Sequence, residues 1–268
     1  MSRSVPPAAV SRPAVRLPAA FLGVPIAHRG LHDRARGVIE NSRAAARAAV
    51  AGGFGIECDI QASADGEALV FHDDVLERLT GRAGAVRERA AADLDAIPLA
   101  GAAGGETIPT LAEFLDLVAG RVPLLIEVKD QSHALGPEVG PLERRIAALL
   151  EGYEGPVALM SFNPHSVAAL AEAAPEVPRG LTSCAFDAAE WHIDAARRAH
   201  LAALADFDPL GCGFVSHDRS DLANPAVVAL KDRGVPILTW TIRSAAAEAV
   251  ARRIADNVTF EGYRPAAG

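Results

Sequence analysis

The feature that most constrains this chain is a rhythm. From about residue 25 to residue 265, short apolar runs alternate with Ala-rich segments of helical period. The runs that read as strands lie at 25–27, 55–60, 68–71, 124–128, 157–160, 179–181, 213–215, 237–242 and 258–260, and helices are predicted at 41–51, 110–119, 142–150, 165–174, 188–205, 224–232 and 244–255. Two helices carry their own boundary signals. Ser42 opens the first and Gly52-Gly53 closes it; Thr110 and Glu113 form a capping box, and Gly120 ends that helix. Repeated strand–helix units build either an open doubly wound sheet or a closed barrel. The open sheet feeds its first strand into a G-x-G-x-x-G phosphate loop, which this chain lacks, so the prediction is α/β, a (β/α)8 TIM barrel. Residues 74–109 exceed an ordinary connection and read as a small insertion after the second strand, with a short helix near 90–96. One barrel domain is therefore expected over 25–265. A flexible N-terminal arm is expected over 1–24, broken by Pro6, Pro7, Pro13 and Pro18.

Composition narrows the function. The 268 residues carry 26 basic and 34 acidic side chains, a net charge of −8, with no Lys/Arg cluster of the kind that tracks a phosphate backbone, so nucleic acid is not an expected partner. No run approaches the roughly 18 apolar residues of a membrane span, and the N-terminal stretch lacks the apolar core of a signal peptide. Cys58, Cys184 and Cys212 show no CxxC spacing. A cytoplasmic protein is expected. Oligomeric state is not legible.

The chemistry lies at predicted strand ends. In the 55–60 strand the two-residue period puts Glu57 and Asp59 on one face and Ile56, Cys58 and Ile60 on the other. The apolar face of a barrel strand packs on helices, so the two acids point inward, where unpaired charge is costly. A second strand repeats the pattern with Glu127 and Lys129. Three carboxylates without a thiolate make a hard oxygen site suited to one divalent cation, Mg²⁺ or Ca²⁺. Apolar runs also end in His28-Arg29-Gly30 and in His72-Asp73. A pair of imidazoles flanking a scissile bond can act as general acid and base. Arg29 and Lys129 can hold an anion such as a phosphoester, and Gly30 allows a close turn. Cys58 should face the helices as an inert thiol. His165, His192 and His200 suit surface or packing roles, His217-Asp218 could line the barrel mouth, and Trp240 shares a predicted face with Leu238 and Ile242.

Taken in order, His28-Arg29-Gly30, Glu40-Asn41, Glu57-x-Asp59, His72-Asp73 and Glu127-x-Lys129, joined by Ser161-Phe162 and Thr239-Trp240-Thr241, resemble the glycerophosphodiester phosphodiesterase family from about residue 26 to 265. The resemblance implies a TIM barrel with His28 and His72 as the acid/base pair, Glu57, Asp59 and Glu127 as metal ligands, and Arg29 and Lys129 on the phosphate. It also turns Trp240 and Phe162 toward the substrate and keeps Glu40 and Asn41 as supporting residues. The implied reaction is metal-dependent hydrolysis of a glycerophosphodiester to sn-glycerol 3-phosphate and an alcohol. Its nucleophile is either water or the substrate's own glycerol hydroxyl. The same residues also fit a lysophospholipase D or sugar-phosphate phosphodiesterase, and a non-catalytic barrel that binds phosphodiesters is the reading from another class. Two departures stand out. Ile39 occupies the place where family members commonly have proline, and the last strand runs into Phe260-Glu261-Gly262, so Glu261 replaces an aspartate in a shifted loop.

Overall fold

The computed structural model describes residues 14–266. Its strands are β1 (Ile26–Ala27), β2 (Gly55–Ala62), β3 (Ala68–Val70), β4 (Leu124–Val128), β5 (Val157–Ser161), β6 (Arg179–Ser183), β7 (Phe214–Asp218), β8 (Ile237–Ile242) and β9 (Asn257–Phe260). They join in the order β1-β9-β8-β7-β6-β5-β4-β2-β3, and a β1–β2 pairing closes the ring. Every pairing is parallel except β2–β3. The barrel is thus a (β/α)8 barrel of eight parallel strands among the described residues. The extra predicted strand is β3, which folds back antiparallel on the overhanging end of β2, with Ile60 opposite Val70.

The α-helices are α1 (Ala20–Gly23), α2 (Arg43–Gly52), α3 (Glu77–Thr80), α4 (Ala91–Asp95), α5 (Leu111–Val118), α6 (Pro141–Leu150), α7 (Pro164–Ala173), α8 (Ala195–Ala202), α9 (Pro225–Asp232) and α10 (Ala245–Ala251), with short 3₁₀ turns at Arg34–Arg36, Val86–Glu88 and Arg219–Asp221. Their caps follow local chemistry. Ser42 accepts from the Ala45 amide, Thr110 and Glu113 form the expected capping box, and Asn163 caps α7 ahead of Pro164. Strand alternation builds the main core: Ile56, Cys58 and Ile60 pack outward with Ile126, Leu159, Val215 and the apolar helix faces. The barrel floor is a separate cluster of Leu17, Phe21, Ile26, Leu125, Ala158, Met160, Phe214 and Leu238. Residues 71–110 enclose a third, including Phe71, Leu76, Leu79, Val86 and Leu94.

Three expectations need correction. Residues 1–13 of the expected arm lie outside the described residues, but the stretch at 17–24 is anchored to the barrel: Leu17 and Phe21 are buried, and Asn257 Nδ2 donates to the carbonyls of Phe21 and Val24 at 2.7 and 2.6 Å. Pro18 opens the turn into α1 at the barrel floor, its carbonyl accepting from the Phe21 amide. The helix expected over 188–205 starts only at Ala195, because Asp194 takes the N-cap and accepts from the Arg197 amide; residues 188–193 form a loop. Leu238, Trp240 and Ile242 do not share one face. A register shift between Thr239 and Ile242 breaks the alternation, so Leu238 joins the floor while Ile242 joins the outer core.

Removing the Phe21 side chain leaves a void at the floor with little freedom to collapse. Phe21→Ala should cost ~3–5 kcal/mol of stability in denaturant unfolding. A loss below ~1 kcal/mol would mean that this segment does not close the barrel.

Candidate active site

The upper ends of the barrel strands converge on a cavity of about 330 Å³ lined by His28, Arg29, Glu57, Asp59, His72, Glu127, Lys129, Phe162 and Trp240, together with Met160, Ser216, Asp218, Arg219, Ser220, Thr241, Arg243 and Thr259. Glu40 and Asn41 stand behind this wall. Parallel register sets Asp59 on β2 beside Glu127 on β4, with Glu57 one inward position earlier. One oxygen from each carboxylate lies within 4.8 Å of the others, and all three groups are buried.

Neighbouring groups are aimed at these acids. Lys129 Nζ lies 2.8 Å from Asp59 Oδ1 and 2.6 Å from Glu127 Oε1. After β1 the backbone turns through left-handed conformations at Arg29 (φ 55°) and Gly30 (φ 77°), which points the Arg29 amide at Glu57 Oε2, 2.9 Å away. A Cβ on Gly30 would come within 2.9 Å of the Ala45 backbone, so glycine is required there. The Arg29 side chain reaches Asp59 Oδ2 at 3.3 Å and Glu40 Oε1 at 2.6 Å, while Asn41 Nδ2 donates to Asp59 at 2.9 Å. Glu40 in turn receives two 2.8 Å hydrogen bonds from Arg78.

Charge in the cluster is unevenly settled. Burial, with Asp59 and Glu127 close by, pushes Glu57 well above the usual carboxylate range. Burial acts on Asp59 in the same sense, but Lys129, His72, Arg29 and His28 outweigh it and hold Asp59 well below that range. Lys129 is disfavoured by burial yet raised overall by Asp59 and Glu127. Three acids thus face one lysine and an arginine already shared with Glu40. The three carboxylates are buried within reach of one another, and an all-oxygen donor set of this size fits a hard divalent cation.

Each histidine is backed by a carboxylate. His28 Nδ1 donates to Glu261 Oε2 at 2.5 Å, with Nε2 on the side of Glu57, 4.0 Å off. Glu261 is steadied by Arg243 Nε at 2.7 Å, and its pKa is pushed far down, chiefly by its hydrogen bonds to His28 and His32. Burial lowers His28, although Glu261 opposes the shift. His72 Nδ1 donates to Asp73 Oδ1 at 2.7 Å, and Arg78 grips Asp73 through Nε at 2.6 Å. His72 follows β3, so it reaches the mouth from a hairpin running against the barrel.

Other positions fall elsewhere. Cys58 faces the helices as expected, in the outer core. Asp218 lines the mouth, but His217 is fully buried and does not; its Nδ1 and the Ser183 hydroxyl are 2.7 Å apart, and Nε2 lies 3.1 Å from Asp221. Arg78, Arg243, Ser216 and Thr259 were not legible as site residues. Arg78 and Arg243 lie outside every motif, whereas the inward-facing Ser216 and Thr259 follow from strand parity once the strands are placed.

Comparison with known proteins agrees with this geometry. The chain matches the model of the glycerophosphoryl diester phosphodiesterase family over residues 28–259. It is 32% identical over 224 residues to a glycerophosphodiester phosphodiesterase of Caldanaerobacter subterraneus subsp. tengcongensis, covering 81% of this chain and 84% of that one. The fold is similar to that of a phosphodiesterase from Oleispira antarctica in complex with the product sn-glycerol-3-phosphate, at 24% identity and a TM-score of 0.69, covering 90% and 94% of the two chains. A glycerophosphodiester phosphodiesterase from Parabacteroides distasonis is similar at 20% identity and a TM-score of 0.69, covering 89% and 92%.

The tie between Glu40 and its two arginines should be visible in acid. Burial opposes ionisation of Glu40, but Arg78 and Arg29 outweigh it and lower its pKa from 4.5 to about 2. Since the folded value lies below the unfolded one, the stabilisation is complete above about pH 4.5 and is lost as pH falls toward 2. Glu40→Gln should flatten the decline of unfolding free energy across that window in urea titrations. An unchanged acid limb would show that the tie contributes nothing to folding.

Proposed function

The chain belongs to the glycerophosphoryl diester phosphodiesterase family, and we propose that it hydrolyses glycerophosphodiesters to sn-glycerol 3-phosphate and an alcohol with one divalent cation. The observation that carries this reading is the convergence in one cavity of a buried acidic triad, the cationic side chains of Arg29 and Lys129, and two carboxylate-backed histidines. The product bound in the Oleispira antarctica relative supports the glycerol phosphate half of the reaction.

Glu57, Asp59 and Glu127 would hold the cation, Mg²⁺ or Ca²⁺, which when bound supplies Lewis-acid polarisation of a phosphoryl oxygen. Arg29 and Lys129 offset the charge that grows on the phosphoryl oxygens in the transition state, where fixed donors cost no reorganisation. Nδ1 of His28 donates to Glu261 and Nδ1 of His72 to Asp73. Each Nε2 is thereby left for the reaction, so that one ring takes the nucleophile's proton and the other returns a proton to the departing alcohol. Asn41 and Glu40 keep Asp59 and Arg29 oriented. Phe162 and Trp240, packed edge-on with ring centroids 5.7 Å apart, wall the substrate. The three cysteines are free and buried, which supports a cytoplasmic setting, and no described helix is long and apolar enough to cross a membrane.

The direct test is release of glycerol 3-phosphate from glycerophosphocholine and glycerophosphoethanolamine. Chelator should abolish release and Mg²⁺ or Ca²⁺ should restore it; full turnover in chelator would remove the cation from the mechanism. His72→Ala should lower kcat by ~10²-fold or more with the barrel still folded. Glu57→Ala should demand far more metal for activation, and undiminished activity in either variant would reject its assigned role.

A further inference from the structure

The active-site cleft has two lobes of opposite character. His72, Glu127, Lys129 and Phe162 line both the cavity already described and a second of about 450 Å³ beside it. In the first lobe, Ser216 Oγ and Thr259 Oγ1 are buried without a hydrogen-bond partner, a floor that suits the hydroxyls of a polyol.

The second lobe is built for something else. Its wall is aromatic: Phe162 and Trp191 meet with centroids 5.1 Å apart at 43°, and both rings are partly exposed. Phe186 braces them from behind, 4.9 Å from Trp191 and 6.2 Å from Phe162. Its charge is negative. Besides the triad member Glu127, the lobe is lined by Asp74, Asp130 and Glu190, and its one lysine or arginine is Lys129, already committed to Asp59 and Glu127. Asp130 is held by neutral donors, the Ser132 hydroxyl, the Leu135 amide and Asn163 Nδ2. Asp74 accepts from Gln61 Nε2 at 3.0 Å and faces His133 at 3.1 Å. Aromatic faces beneath a surplus of carboxylates are the recognition chemistry of an alkylammonium group, because ring quadrupole and formal charge both attract a weakly hydrated cation.

Resting on the reading that a glycerophosphodiester spans this site, we propose that the lobe between Trp191, Phe162 and Glu190 seats the alcohol arm and selects an alcohol bearing a cationic nitrogen, best a quaternary one. The phosphate then sits at the shared residues, and the glycerol arm lies over Ser216 and Thr259. The loop at 188–193 is the specificity element, since it carries both Trp191 and Glu190 into the lobe.

Charge can be separated from shape with choline and 3,3-dimethylbutan-1-ol, its neutral carbon isostere. In calorimetric titrations of the wild-type protein, choline should bind about tenfold more tightly than the isostere, and the difference should collapse in Trp191→Leu and shrink in Glu190→Gln. Correspondingly, kcat/KM for glycerophosphocholine should exceed that for the matching dimethylbutyl diester by about tenfold, and Trp191→Leu should bring the ratio near one. Equal kcat/KM values for the two diesters would overturn the subsite while upholding the hydrolysis. Absence of turnover on both would instead reject the parent reading, and the titration would still decide the subsite: equal or tighter binding of the isostere makes the lobe an apolar groove.

Discussion

Three carboxylates crowded at the upper ends of two adjacent strands set the terms for most of what surrounds them. A parallel pairing of β2 with β4 puts Asp59 beside Glu127 and leaves Glu57 just below, all of them out of bulk water. Such an arrangement is unfavourable on its own, because desolvation and mutual repulsion act together. The compensation is local and specific: Lys129 just past the end of the strand that carries Glu127, the backbone amide and guanidinium of Arg29, and the side-chain amide of Asn41. The left-handed turn at Arg29 and Gly30 is one consequence of that need, since an extended continuation of β1 would carry the Arg29 amide away from Glu57.

The two imidazoles show one solution reached twice. Each has its Nδ1 hydrogen taken by a carboxylate, and each carboxylate is itself held by an arginine, Glu261 by Arg243 and Asp73 by Arg78. The carboxylate–imidazole pair fixes ring orientation and tautomer, and the arginine keeps the carboxylate ionised and in place. Glu40 joins the halves, because it pairs with Arg29 on the barrel side and Arg78 on the hairpin side.

Much of this was legible because strand parity is a strong signal. Alternation in 55–60 and 124–128 identified Glu57, Asp59, Glu127 and Lys129 as inward-facing, and the register brings them together as expected. The failures share a cause: each depended on an interaction distant in sequence or on a local break in period. Nothing in the 68–71 run distinguishes an antiparallel return from another barrel strand. The 188–205 helix was overextended because alanine content outweighed the cap signal of Asp194. Trp240 was tied to Ile242 by a parity that the register shift in β8 cancels. Arg78 and Arg243 belong to no motif, and only the folded chain brings them to Asp73 and Glu261.

The antiparallel hairpin divides the site between two bodies of apolar packing. His28, the acidic triad and Lys129 stand on the barrel, whereas Phe71, directly before His72, belongs to the separate cluster that residues 71–110 build with Ile39 and Leu69. A cluster of that size can open as a cooperative unit with its own free energy, smaller than that of the whole domain. Were it to open alone, breaking the Phe71 amide bond to Asp59 and the Gln61 bond to His72, the imidazole would leave while the carboxylates stayed on β2 and β4. Heat or denaturant acting on that cluster would then part His72 from the acidic triad while spectroscopic probes of the barrel still report a native fold.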